Sequence, residues 1–246
     1  QIPSKEFSIL FQKPFFVIGD LKPNILKDRW ARGTIRWTVK RLKSLYFSKD
    51  PNKILAIWLF KDNTSYRKYT KQIWNSVPDT PYGYYSPYHK ALVMNIATGG
   101  GTLVHEIVHP FMEANFPECP DWFNEGMGSL YEQSGERKGR IMGLTNWRLA
   151  GLQESIRDKE LMSFRELTEI EGFYDKEDGY GMARYLCYYL QSKRLLVTYY
   201  KEFTQNVAKD PSGYKTLQKV LQTTDMDKFQ KKWEAWVMQL KFPPST

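Results

Sequence analysis

The sequence predicts an α+β fold, with a small mixed sheet in the N-terminal half and a mostly helical C-terminal half. Three observations predict it. Short apolar runs bounded by Pro, Gly, Asn and Asp fall before residue 97. From Gly101 onward, apolar residues recur at helical spacing. No internal repeat or low-complexity stretch points to a solenoid or a linker. With 246 residues the expectation is a single domain with two lobes, an α/β lobe over about 1–115 and a helical lobe over about 116–246.

Residues 7–11 and 15–18 read as short strands around Pro14. A helix follows from Asn24, read as its N-cap, to Tyr46. Its apolar side carries Ala31, Ile35, Val39, Leu42 and Leu45. Its opposite face carries Arg29, Arg32, Arg36, Lys40 and Lys43. Residues 54–60 form the longest apolar run, bounded by Asp50-Pro51-Asn52 and Asp62-Asn63, and read as a buried strand. Asn63 or Thr64 then caps a helix to Trp74. Residues 77–87 hold Pro78, Pro81, Gly83 and Pro87 and read as loop. Residues 90–96 read as a strand at the sheet edge, ended by Gly99-Gly100-Gly101. That glycine run lacks the Gly-Lys-Ser/Thr ending of a phosphate loop. Helices are expected over 102–114, 120–133, 146–158, 163–170, 179–207, 213–222 and 226–240.

Composition excludes several classes. Aromatics at 15% supply enough apolar surface to fold, so disorder is not the main state. Seven apolar residues in a row cannot cross a bilayer core, so no membrane span is expected. The net charge of +9 attracts anionic partners, and the basic helix 29–43 offers an anionic surface a contact. No nucleic-acid-binding motif accompanies it, and no nucleic-acid partner is expected. Cys119 and Cys187 permit one disulfide without demanding it. The chain begins at Gln1 rather than Met, which fits removal of a targeting segment and an extracytoplasmic location, or a trimmed chain.

The chemistry lies in His105-Glu106-Ile107-Val108-His109. Two His at i and i+4 sit one turn apart on one helix face, so both imidazoles can reach one metal ion. Zinc suits such donors, and Glu106 beside the first His is placed to take a proton from water there. Leu103, Val104, Ile107, Val108, Phe111 and Met112 form the helix's apolar stripe, and both His fall off it. Pro110 removes the backbone bond to Glu106 and is expected to kink or end the helix.

The chain has only 3 His. None follows His109, and His89 stands in a Pro- and Tyr-rich loop as an ordinary surface residue. A third protein ligand should therefore be a carboxylate. Asp121 and Glu125 stand four residues apart on the next helix, and either can serve. Gly128 and Ser129 share the Glu125 face, where small side chains allow close helix approach. Glu132 and Asn124 are candidates for orienting a His.

His105-Glu106-x-x-His109, with Trp122-Phe123-Asn124-Glu125-Gly126, resembles the gluzincin metallopeptidases, in particular the M1-like and peptidase-MA-like catalytic domains. The stretch Tyr180-Gly181-Met182-Ala183-Arg184-Tyr185-Leu186 is similar to the helix that carries their oxyanion tyrosine. The resemblance spans residues 90–190 and implies a zincin-like fold and a single Zn2+. It implies His105, His109 and Glu125 as metal ligands, Glu106 as general base and Tyr180 as oxyanion donor. It implies a peptide or protein substrate. Residues 110–124 make a shorter interval before the glutamate than is usual in that group, and no counterpart of the motif that reads a free amino terminus is present. Two other readings stay open: a non-catalytic binding or adhesion protein on the same scaffold, and a metallopeptidase that uses Asp121 as ligand.

Overall fold

The computed structural model describes residues 3–242 except 171 and 176, and the backbone alone of residues 175, 177 and 178. The fold is mixed α+β, with a small mixed sheet and a helical remainder. The chain divides into two compact units, Gln1–Asn115 and Phe116–Thr246.

The first unit is built on a five-stranded sheet. Its strands are β1 (Ser8–Gln12), β2 (Phe15–Gly19), β3 (Leu55–Phe60), β4 (Gly83–Ser86) and β5 (Ala91–Asn95), in the order β1-β2-β3-β5-β4. β2, β3 and β5 are parallel, with Val17 opposite Ile57 and Ile57 opposite Leu92. The outer strands β1 and β4 run antiparallel to their neighbours. β3 and β5 are apolar on both faces, as strands covered on both sides must be.

One face of the sheet presents Ile18, Trp58, Phe60, Ala91 and Val93, packed with Phe7 and with Tyr66 and Tyr69 of α2 (Asn63–Trp74). Asp62 caps α2, its side chain accepting from the Ser65 N–H at 2.8 Å. The other face buries Phe15, Val17, Leu55, Ile57, Leu59, Leu92 and Met94. Against it lie a π-helix (Ile25–Arg36), its continuation α1 (Trp37–Leu45) and α3 (Gly101–Asn115). Phe111 of α3 meets Phe15 of the sheet at 6.2 Å and Phe47 at 5.5 Å.

Several expectations change here. Residues 83–86 form the edge strand β4, so the strand at 90–96 is not the edge but lies between β3 and β4. A short outer strand pairs on one side only, which tolerates the flanking Pro81 and Pro87. Asn24 does not cap the first helix: it is itself helical and makes no side-chain cap bond. The helix begins at Pro23, where a missing N–H costs nothing.

Pro110 does not end α3, which continues through Asn115. An interior proline costs about 3 kcal/mol. Phe111 and Met112 just beyond it are 0% and 1% exposed, and burying such side chains contributes about 1.5–3 kcal/mol each. Burial therefore outweighs the lost backbone bond.

The second unit centres on α4 (Asp121–Glu132) and α7 (Glu177–Ser192). Around them lie α5 (Arg148–Asp158), α6 (Phe164–Glu169), α8 (Leu196–Asn206), α9 (Tyr214–Leu221) and α10 (Met226–Val237). The expected helix 179–207 is two helices, because Arg194 takes a left-handed backbone, φ 61°, between α7 and α8. A hairpin that the helical reading missed joins β6 (Ser134–Arg137) to β7 (Arg140–Gly143). Its two turn residues, Lys138 and Gly139, both have positive φ, the twist that suits a two-residue hairpin. The Gln191 side chain clamps Gly143, accepting from its N–H at 2.8 Å and donating to its carbonyl at 2.9 Å.

α4 and α7 approach closely at Gly126, where a Cβ would stand 3.0 Å from Cys187 Sγ and 3.1 Å from the Ala183 carbonyl oxygen. Arg184 is fully buried and donates to the Leu130 carbonyl at 3.2 Å and to the Leu144 carbonyl. Burial lowers its pKa to about 10.

Candidate metal centre

α3 follows β5 through a short turn. Asn95 shapes it by accepting from the Ala97 N–H at 3.2 Å and donating to the Pro81 carbonyl at 2.8 Å. Gly99 has φ 107°, so this member of the glycine run meets a backbone requirement. α3 then turns its apolar stripe to the sheet and leaves His105, Glu106 and His109 half-buried.

The two imidazoles lie 4.9 Å apart, centroid to centroid, at 70° to each other. One ligand atom from each of His105, Glu106 and His109 lies within 4.8 Å of the other two. Tetrahedral ligands held about 2 Å from one zinc ion stand about 3.3 Å apart. The 4.8 Å bound accommodates that spacing for the two imidazoles. Among the described residues no other group of three His, Cys, Asp or Glu side chains gathers this way.

Tyr66 of α2 was not singled out from sequence. Its hydroxyl is buried without a hydrogen-bond partner among the described residues. Burial, then the nearby Tyr84 and, more weakly, Glu106, raise its pKa. Its position reads in sequence as core, because Tyr66 and Tyr69 sit at helical spacing toward the sheet.

Glu125, Asp121 and Tyr180 belong to the second unit. Glu125 on α4 is 5% exposed, and Asp121 in the first turn is exposed. Tyr174 stands beside the Glu125 carboxylate. Tyr174 sits in a 3-10 turn (Phe173–Asp175) before α7, where no periodicity marked it in the sequence. Tyr174 is 57% exposed. Burial, then the charges of Glu125 and Asp121, raise its pKa.

Tyr180 is half-buried in the first turns of α7, with its ring 5.0 Å from Phe173 and the Arg148 guanidinium 5.9 Å above it. Asn124 is half-buried on α4. Glu132, offered by the sequence as a partner for a His, is ion-paired with Arg148 instead.

His89 is exposed, packs on Trp74 at 5.3 Å and lies outside the His105, Glu106 and His109 group. Cys119 and Cys187 are free thiols, and burial raises the pKa of both. Arg29, Arg32, Arg36 and Lys40 are exposed, while Lys43 pairs with Asp50. Among the described residues, no helix is long and apolar enough to cross a membrane. The chain matches no protein-family model and no curated protein sequence.

Proposed function

We propose that this protein is a zinc-dependent peptidase of the gluzincin type on a zincin-like scaffold. The observation that carries the reading is the gathering of His105, Glu106 and His109 on one helix turn, with ligand atoms within 4.8 Å of one another. Two imidazoles with a carboxylate suit zinc better than magnesium or calcium, which prefer all-oxygen sites.

In this reading His105 and His109 hold the ion. Glu125 is the third protein ligand, as the resemblance implies. When bound, zinc supplies a Lewis acid that polarises a peptide carbonyl and acidifies water at neutral pH. Glu106 takes the proton from the attacking water and returns it to the leaving amine. Tyr180 donates a hydrogen bond to the carbonyl oxygen as negative charge develops on it. Tyr174, beside the Glu125 carboxylate, is placed to orient it. The outer strand β4 offers backbone groups along which an extended peptide can lie. An extracytoplasmic location, and contact of the basic helix with an anionic surface, belong to the same reading.

The test measures zinc content and peptide hydrolysis on the same preparations. His109→Ala should lose zinc. Glu106→Gln should keep zinc and lose hydrolysis, and equal turnover in both proteins would remove Glu106 as the base. Glu125→Ala should lose zinc while Asp121→Ala keeps it; the reverse pattern assigns Asp121 as the ligand. No zinc-dependent cleavage across a broad peptide library would favour the non-catalytic reading.

A further inference from the structure

A cavity of about 770 Å³ opens in the second unit beside Tyr174 and Tyr180. Two helical glycines line it, Gly151 of α5 and Gly181 of α7. Neither has positive φ. Among the described residues, a Cβ on Gly151 would meet nothing within 4 Å, and one on Gly181 would meet only Leu152, at an ordinary 3.8 Å. Glycine inside a helix is destabilising relative to alanine. At these two positions neither the backbone nor the packing asks for it, and what both residues do is leave the cavity open.

The lining also has a chemical character. Trp147, 62% exposed, and the rings of Tyr174 and Tyr180 form aromatic walls. Glu154, Asp158 and Glu160 supply three carboxylates, in a chain whose net charge is +9. Arg148 is the one cation among the described lining residues, and it is already engaged. It pairs with Glu132, and its guanidinium stacks on Trp147 at 4.2 Å. An acidic ligand group would be repelled here, and a purely apolar one would leave the carboxylates unused. A basic side chain meets both parts, its aliphatic stem against the rings and its charge toward the carboxylates. Tyr174 both lines the cavity and stands beside Glu125.

We propose that this cavity is a side-chain subsite for an arginine or lysine of the peptide substrate. The proposal rests on the peptidase reading and names its substrate class.

The test uses the whole 246-residue chain carrying Glu106→Gln, so that peptides bind without turnover. Capped Ala-Ala-X-Ala-Ala peptides with X as Arg, Lys, norleucine or Glu are titrated by calorimetry. The Arg and Lys peptides should bind about tenfold or more tighter than norleucine, and Glu weakest. Gly151→Leu should abolish that preference while leaving the melting temperature equal or higher, because leucine is a better helix former than glycine. Neutralising the exposed carboxylates together (Glu154→Gln, Asp158→Asn, Glu160→Gln) should remove the preference and leave norleucine binding unchanged. Equal affinity for all four peptides, or a basic preference that survives both variants, overturns the subsite. Zinc-loaded wild-type protein separates the two readings. Cleavage without basic preference rejects the subsite and keeps the peptidase. Basic-selective binding without cleavage rejects the peptidase and keeps a basic-peptide site.

Discussion

Adding one methyl group at Gly126 and one at Gly151 should move stability in opposite directions. Both residues lie inside helices, so each Gly→Ala change gains about 0.5–1 kcal/mol of helix propensity. At Gly151 nothing offsets the gain, because the new Cβ meets no atom of the described residues within 4 Å. At Gly126 the new Cβ falls 3.0 Å from Cys187 Sγ, 3.1 Å from the Ala183 carbonyl oxygen and 3.3 Å from its carbon. Ala183 and Cys187 are both 0% exposed, so neither can move into solvent. Overpacking of this kind costs about 1–3 kcal/mol. Set against the propensity gain, Gly126→Ala should destabilise by about 0–2.5 kcal/mol, and the two variants should differ by about 1–3 kcal/mol. Urea denaturation at a common slope reads the difference as a shift in midpoint. Repeating Gly126→Ala in a Cys187→Ala background removes the Sγ contact and leaves the carbonyl, so part of the loss should return. A Gly126→Ala protein as stabilised as Gly151→Ala would refute the close α4–α7 packing on which the position of Glu125 depends.

Two other outcomes are expected. Burial and the Glu113 carboxylate hold the Tyr85 pKa up to about 12, and burial with the nearby Cys119 thiol does the same for Tyr200. An unfolded tyrosine titrates near about 10. The folded state therefore keeps protons that the unfolded chain releases, so this stability is complete below pH ~10 and is lost between pH ~10 and ~12. Urea midpoints measured from pH 8 to 12 should fall over that window, less steeply in Tyr85→Phe; a flat profile to pH 12 would contradict the assignment. Asp210 is buried and accepts from the Thr216 N–H at 2.7 Å, the Thr216 hydroxyl at 2.8 Å and the Lys215 N–H at 3.3 Å. Asp210→Ala strands these donors at the start of α9 and should cost about 2–4 kcal/mol, since bonds to a charged acceptor are the stronger kind. A loss below 0.5 kcal/mol by chemical denaturation, as for an ordinary surface site, would show that water replaces the carboxylate.

The pair His105 and His109 was legible in the sequence because it depends only on helical periodicity. Residues i and i+4 share a face wherever the helix forms, and the apolar stripe from Leu103 to Met112 says that it forms. Helical spacing likewise located most of the C-terminal helices, and apolar runs bounded by turn residues located β1, β2, β3 and β5. Where a local signal competes with burial or pairing, it misleads. Pro110 spoke against a continuing helix and was outweighed by Phe111 and Met112. Pro81 and Pro87 disguised β4, which needs a partner on one side only. The β6–β7 hairpin had its own signal in Lys138-Gly139, overlooked among long helical patterns. The break at Arg194 had none, because glycine or asparagine, not arginine, ordinarily marks a left-handed helix end.

Side chains distant in sequence left still less trace. Nothing in the sequence connects Tyr174 to Glu125, draws Glu132 to Arg148, or gathers Trp147, Gly151 and Tyr180 around one cavity. Chain periodicity specifies which residues share a face of one element. Which faces then meet depends on packing between elements, where a single missing methyl group at Gly126 sets how closely two helices approach.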